Sequence, residues 1–292
     1  MAILPAVTIA VMNDLHMGGT VGTGFQNPLM VADGRTIVNP AVDAINQANP
    51  DLVLIAGDLT QNASEEELGV ITGCLARLNA PWVACKGNHD RETPEASARF
   101  TAAIGEHFRP GITRGSKLGL SDDITLLVLD SQWGNDAALS PEGVQLAVPD
   151  SQLVEAALAE LDRLSPALLV VVSHYPLVSQ SAYVETNNGK YAGHVLNGEE
   201  ILTNLTNRAG TVICFCGHNH YHHITSGERW LQCATGAMAE YPSEYRLVTI
   251  AGNAVQISTA SASAEILAAA GEPNTPWVAG RPEDREFTWR PV

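Results

Sequence analysis

One pattern constrains this chain more than any other, and it occurs five times. A short apolar run stops abruptly at Gly, Asp, Asn or His. VTIAVM (Val7–Met12) runs into Asn13-Asp14-Leu15-His16, DLVLIAGD ends in Gly57-Asp58, and PWVACKGNHD ends in Gly87-Asn88-His89-Asp90. LLVVVSHYP carries His174, and TVICFCGHNH ends in Gly217-His218-Asn219-His220. Runs this short and this rich in Val, Ile and Leu read as strands buried on both faces. Helical spacing fills the intervals. Asn39 and Pro40 read as the N-cap and first residue of a helix over AVDAINQAN. Ser64 and Glu67 form a capping box ahead of Leu68, Ile71, Leu75 and Leu78. Further helices are expected from Pro94 to about Phe108, after an Asp150 or Ser151 cap, and over EEILTNL. Buried strands alternating with amphipathic helices dictate a layered α/β domain. In such sheets ligands gather beyond the carboxyl ends of the strands, so parallel strands would carry all five polar clusters to one crevice.

After His223 the texture changes to β segments, RWLQCATG, YRLVTIAG and AVQISTA, and the tail over 271–292 reads as surface wrapping. Neither an internal repeat nor a low-complexity linker divides the chain. It is expected to be one domain over 1–292 with its core at about 7–260. The stretches Gly18–Asn39 and Ser179–Gly198 exceed ordinary connections and are expected to shape substrate entry.

Charge narrows the partners. Sixteen basic against thirty-two acidic residues give −16, the wrong sign for tracking a nucleic-acid polymer or an anionic membrane. A chain so poor in Lys and Arg that handles phosphate needs another source of positive charge, and bound metal is one. The five cysteines, Cys74, Cys85, Cys214, Cys216 and Cys233, include no CxxC and suit core filling in a reducing compartment. The first residues have no basic start and no small-residue cleavage site, so a strand and a cytoplasmic location are expected.

Each motif alone is common by chance; together they share chain order, strand-end placement and ligand type. Asp14, His16, Asp58, Asn88, His174, His218 and His220 are seven oxygen or nitrogen donors without a thiolate. That set suits Mn, Fe or Zn better than a Ca or Mg cage of oxygens. Seven donors exceed the needs of one ion with an open position, whereas two ions sharing one carboxylate use them all.

The sequence DLH, GD, GNHD, SHYP and GHNH, in that order, resembles the calcineurin-like metallophosphoesterases. The resemblance implies a four-layer α/β/β/α sandwich with two mixed sheets. It implies that Asp14, His16 and His220 bind one ion, that Asn88, His174 and His218 bind a second, and that Asp58 bridges them. It implies that His89 faces the substrate as the catalytic group. The branch it looks most like hydrolyses small-molecule phosphodiesters, cyclic nucleotides among them, by in-line attack of metal-activated hydroxide. A phosphomonoesterase and a metal-binding scaffold without catalysis are the alternatives.

Other polar residues are weighed against blander roles. His194 and Tyr221 are the outside candidates for substrate contact. His222 and His223 read as turn or strand-edge residues, and Lys86 and Arg35 as solvated. GGTVGTGF lacks the strand–GxGxxG–helix order of a dinucleotide fingerprint and is expected to be a loop near the site. The sequence leaves oligomeric state open, a homodimer included.

Overall fold

The computed structural model describes residues 3–133, 146–261, 264–270 and 272–292. In chain order the elements are β1 (Leu4–Met12), α1 (Arg35–Ala48), β2 (Leu52–Ile55), α2 (Glu65–Leu75), β3 (Trp82–Ala84), α3 (Pro94–Ile104), β4 (Gly111–Arg114), β5 (Ile124–Val128), β6 (Ser131–Trp133) and β7 (Ala147–Pro149). There follow α4 (Ser151–Leu164), β8 (Leu168–Val172), α5 (Ser181–Thr186), α6 (Gly198–Thr206), β9 (Thr211–Cys216), β10 (His223–Ser226), β11 (Trp230–Ala234), β12 (Glu244–Gly252), β13 (Ala254–Ser261), α7 (Ala264–Ala270), α8 (Pro282–Arg285) and β14 (Phe287–Trp289).

Two six-stranded mixed sheets form the body, ordered β14-β13-β12-β1-β2-β3 and β10-β11-β9-β8-β5-β4. Period-two alternation explains how they stack. Along β8, Leu168, Val170 and Val172 join the core shared with Ile9, Val11 and Ile55 of the first sheet. Leu169 and Val171 point the other way, against Ala157 and Leu161 of α4 and Leu202 and Leu205 of α6. Ile45 of α1, Ile71 of α2 and Phe100 of α3 pack into the core of the first sheet. The architecture is an α/β/β/α sandwich. None of the described helices is long and apolar enough to cross a membrane.

The local signals act largely as read. Glu67 N donates to Ser64 Oγ at 3.2 Å and Ser64 N returns to Glu67 Oε2 at 3.0 Å, closing the capping box. Asp150 caps α4 through the amides of Gln152 and Leu153. Helix α1 departs from expectation: it starts at Arg35, so Pro40 lies inside it rather than at its first position. Pro inside a helix costs roughly 3 kcal/mol. The earlier start buries Ile37 and Val38, each worth about 1.5–3 kcal/mol, which offsets that cost. Both long connections shrink accordingly: Arg35–Asn39 belongs to α1, and α5 interrupts the second. The segment expected to wrap the surface also contributes β14, which pairs with β13; Gly271, its expected first residue, lies outside the described residues.

Candidate metal centre

Parallel pairing of β1, β2 and β3, and of β8 and β9, sends five chain segments out of the same end of the sandwich. All seven expected donors meet there, in two halves. In the first, one ligand atom each from Asp14, His16, Asp58 and His220 lies within 4.8 Å of all the others, and all four residues are buried. In the second, His174 Nε2 lies 3.1 Å from Asn88 Oδ1, 3.2 Å from His218 Nδ1 and 3.3 Å from Asp58 Oδ2. Asp58 belongs to both, since the same Oδ2 lies 3.9 Å from His16 Nε2.

Backbone geometry aims these groups. Asp14, His16, Asp58, His218 and His220 all have positive φ, between 43° and 68°. That conformation strains any residue with a Cβ, at on the order of 1–3 kcal/mol each. It is held by hydrogen bonds between the loops: Leu15 N and His16 N both donate to Asp58 O, at 2.8 and 3.0 Å. The flanking glycines make room for the ligands. A Cβ on Gly87 would lie 2.0 Å from Asp58 Oδ1, and one on Gly217 would lie 2.4 Å from Asp14 Oδ2.

Each imidazole is fixed through the nitrogen that faces away from the centre. His174 Nδ1 donates to Ala56 O at 2.8 Å, His218 Nε2 to Ala192 O at 3.1 Å, and His16 Nδ1 sits 3.2 Å from Gln61 Oε1. His220 Nδ1 lies 2.9 Å from Glu240 Oε1. Such outer partners select the tautomer whose lone pair points inward. The result is ring nitrogens facing one another across the centre, with His16 Nε2 and His220 Nε2 3.3 Å apart. The carboxylates are arranged likewise. Asp14 Oδ2 accepts from His218 N and from the Asn13 side-chain amide, while buried Oδ1 faces the centre with His220 Nε2 3.2 Å away. Asp58 Oδ1 accepts from His89 N at 2.9 Å, leaving Oδ2 to the centre.

The electrostatics divide in the same way. Burial would raise Asp58, yet His174, His16 and His89 beside it hold it well below the usual carboxylate range. Burial pushes His16 down to about 4, and burial with the neighbouring His174 pushes His218 down to about 3. Against the same burial, Asp58 lifts His174 to about 9, and Glu240 with Asp14 lifts His220 well above its ordinary value. Each half therefore draws in one positive charge and has donors left over. Buried carboxylate oxygens and ring nitrogens crowded around shared points, with an unmet demand for cations, fit metal ions.

The centre opens into a cleft of about 370 Å³ whose walls include His89, Phe25, Gln61 and Ala192. His89 Nδ1 is held by Gln61, 3.1 Å from its carbonyl oxygen and 3.0 Å from its side-chain nitrogen. Among the described residues, no Lys or Arg lines this cleft.

Calcineurin-like phosphoesterase is the family whose sequence profile matches residues 7–222. The chain belongs to that family. The chain is 31% identical over 171 residues to a probable cyclic nucleotide phosphodiesterase of Rhodopseudomonas palustris, a match covering 53% of this chain and 57% of the relative. It is 27% identical over 175 residues to the 3′,5′-cyclic adenosine monophosphate phosphodiesterase of Escherichia coli, covering 58% and 54%. The chain thus spans little more than half the length of the curated relatives it matches. Among solved structures, its fold is similar to a dimetal phosphatase of Danio rerio (TM-score 0.64, 12% identity, 88% of this chain and 97% of that one). It is also similar to a purple acid phosphatase from yellow lupin seeds (TM-score 0.57, 13% identity, 98% and 54%).

Two expected substrate contacts are not at the cleft. Tyr221 is fully buried, its hydroxyl donating to Gln180 Oε1 at 3.0 Å and its ring packed near Tyr183 and Trp277. His194 Nδ1 is engaged by the Tyr191 hydroxyl at 3.0 Å and does not line the cavity. Both brace the second long connection, because aromatic groups there fill space behind the site. His222 is no edge residue either: it is fully buried, with Nδ1 accepting from Gly236 N at 3.1 Å.

Sequence reasoning missed three supports. Asp90 closes the GNHD turn by accepting from Leu59 N, Thr60 N and Gly87 N. Asn13 fixes Asp14, and Glu240 fixes His220. Asp90 and Asn13 adjoin the motifs and could have been found from that position; nothing local marks Glu240.

Proposed function

We propose that this protein hydrolyses a small organic phosphodiester, with a 3′,5′-cyclic nucleotide as the leading candidate. In this reading Asp14, His16 and His220 hold one ion, Asn88, His174 and His218 hold another, and Asp58 joins them. When bound, such ions polarise phosphoryl oxygens and lower the pKa of coordinated water. The seven donors, pre-aimed by hydrogen bonds, would keep that charge fixed while negative charge builds on the phosphoryl group. His89, held through Nδ1 by Gln61 and placed on the cleft wall, would give a proton to the departing alkoxide.

The observation that carries the diester reading is the absence of Lys and Arg among the described residues that line the cleft. Positive charge toward the substrate would come from the ions; Asp14 and Asp58 would cancel two of their four charges and an activated hydroxide a third. The single positive charge that remains suits a singly charged diester better than a doubly charged monoester. The cleft volume falls within the range of small-molecule sites, and the named relatives favour cyclic nucleotides. The test compares bis-p-nitrophenyl phosphate with p-nitrophenyl phosphate in Mn²⁺, followed by cyclic nucleotides. A kcat/KM at least tenfold higher for the diester is expected. Preference for the monoester overturns the reading.

A further inference from the structure

Glu240 is a fully buried carboxylate with an unusual set of partners. Its Oε1 lies 2.9 Å from His220 Nδ1 and accepts from Phe25 N at 2.5 Å. Its Oε2 accepts from Gln26 N at 3.1 Å and Asn27 N at 2.9 Å. Three consecutive amides of the Gly-rich loop therefore close around the anion that orients His220. The wrap is tight: a Cβ on Gly24 would lie 2.8 Å from Glu240 Oε1 and 2.1 Å from Asn27 O. On the cleft side of the same loop, the Phe25 ring stands edge-on to His220, centroids 5.6 Å apart, and forms part of the wall. Glu240 reaches this position because Met238 N and Ala239 N donate to Asn13 O and Asp14 O, which lays the segment along the extension of β1.

We propose that Glu240 is a positioning residue that couples ion binding at the Asp14–His16–His220 half of the centre to closure of the 23–27 loop over the substrate cleft. This rests on the two-ion reading above. An ion bound by His220 would strengthen the pull between the Nδ1 side of the ring and the Glu240 carboxylate 2.9 Å away, and a carboxylate so fixed holds the three amides in place. Linkage makes the effect reciprocal: whatever opens the loop weakens the ion, and whatever removes the ion loosens the loop.

The experiment pairs calorimetric titration of metal-free protein with Mn²⁺ and Zn²⁺ with hydrogen-exchange mass spectrometry of the peptide spanning residues 23–27. In the unmodified protein, metal should slow exchange of that peptide at least tenfold. In Glu240→Gln, either the loop amides or His220 would face an amide NH₂. One ion should then bind about 10–100-fold more weakly, and the metal-dependent slowing should vanish. At saturating metal the loss should fall more on KM than on kcat, because the loop touches substrate rather than the attacking group. An unmodified protein that binds two ions with no change in exchange at 23–27 overturns the coupling, without needing the variant to fold. So does a Glu240→Gln variant with unchanged metal affinity. An unmodified protein that takes up no ion overturns the two-ion reading itself, a result distinct from either.

Discussion

Replacing Gly87 by alanine adds one methyl group at the narrowest point of the centre. The new Cβ would lie 2.0 Å from Asp58 Oδ1, 2.4 Å from Asp58 N and 2.5 Å from Asp58 Cγ. Ordinary contact between such atoms begins near 3.5 Å, so the two loops must part by roughly 1.5 Å. Two of the three crowded atoms are in the Asp58 side chain and one is backbone, so no flexible tip can swing aside. The same shift moves His89, whose amide donates to Asp58 Oδ1. Overpacking of this kind costs about 1–3 kcal/mol of stability, which a domain of this size tolerates. The site is less forgiving: misplacing catalytic groups by an ångström lowers rates on the order of a hundredfold. We expect Gly87→Ala to fold, to lose at least about a hundredfold in kcat/KM on a diester, and to hold less than the full metal complement. Gly69→Ala is the control, because Gly69 lies inside α2 with open space around its Cβ position. It should gain about 0.5–1 kcal/mol and keep full activity. A Gly87→Ala protein with normal turnover and normal metal content would refute the argument that this glycine exists to admit Asp58.

Two further outcomes are expected. His89→Ala should lose about 10²–10⁴-fold in turnover while keeping the metal content of the parent, measured by elemental analysis; loss of metal instead would make His89 a ligand. Asp284 is buried, and although burial would raise it, hydrogen bonds from His223, Arg281 and Ile224 N hold it well below the usual carboxylate range. A depressed folded value means stability that is present above the unfolded value near 3.9 and is lost as pH falls toward the folded one. Asp284→Asn should therefore cost on the order of 1.5–3 kcal/mol at pH 7 in urea unfolding, with the gap closing below about pH 4; a gap that stays constant down to pH 3 would argue against an ionised Asp284.

What the sequence revealed and what it hid have physical reasons. The donors sit where strands end, so an apolar run followed by Asp, Asn or His is visible within ten residues. Their convergence follows from parallel pairing, which alternating strands and helices already imply. Chain direction also exposed the capping box at Ser64. Glu240 was invisible because its partners are a histidine twenty positions earlier and three backbone amides from residues 25–27, and amides carry no side-chain signature. Strands β4, β6 and β7 are three or four residues long and contain Gly, Arg, Gln or Pro, so period-two alternation cannot declare itself. The start of α1 was hidden by Pro40, whose local preference is overridden by burial of Ile37 and Val38. Tyr221 looked like a substrate contact because it adjoins His220, and His194 because it lies in a long loop, but Tyr221 packs near Tyr183 and Trp277 and His194 is engaged by Tyr191.

The proposed activity depends on a pair of ions held through Asp58. Elemental analysis of purified parent protein and of Asp58→Ala, with anomalous diffraction to locate each ion, tests it most directly. Two transition-metal ions per chain flanking Asp58, both lost together in the variant, is the predicted result. Two firmly bound ions in Asp58→Ala, or an active parent protein free of transition metal, would contradict it.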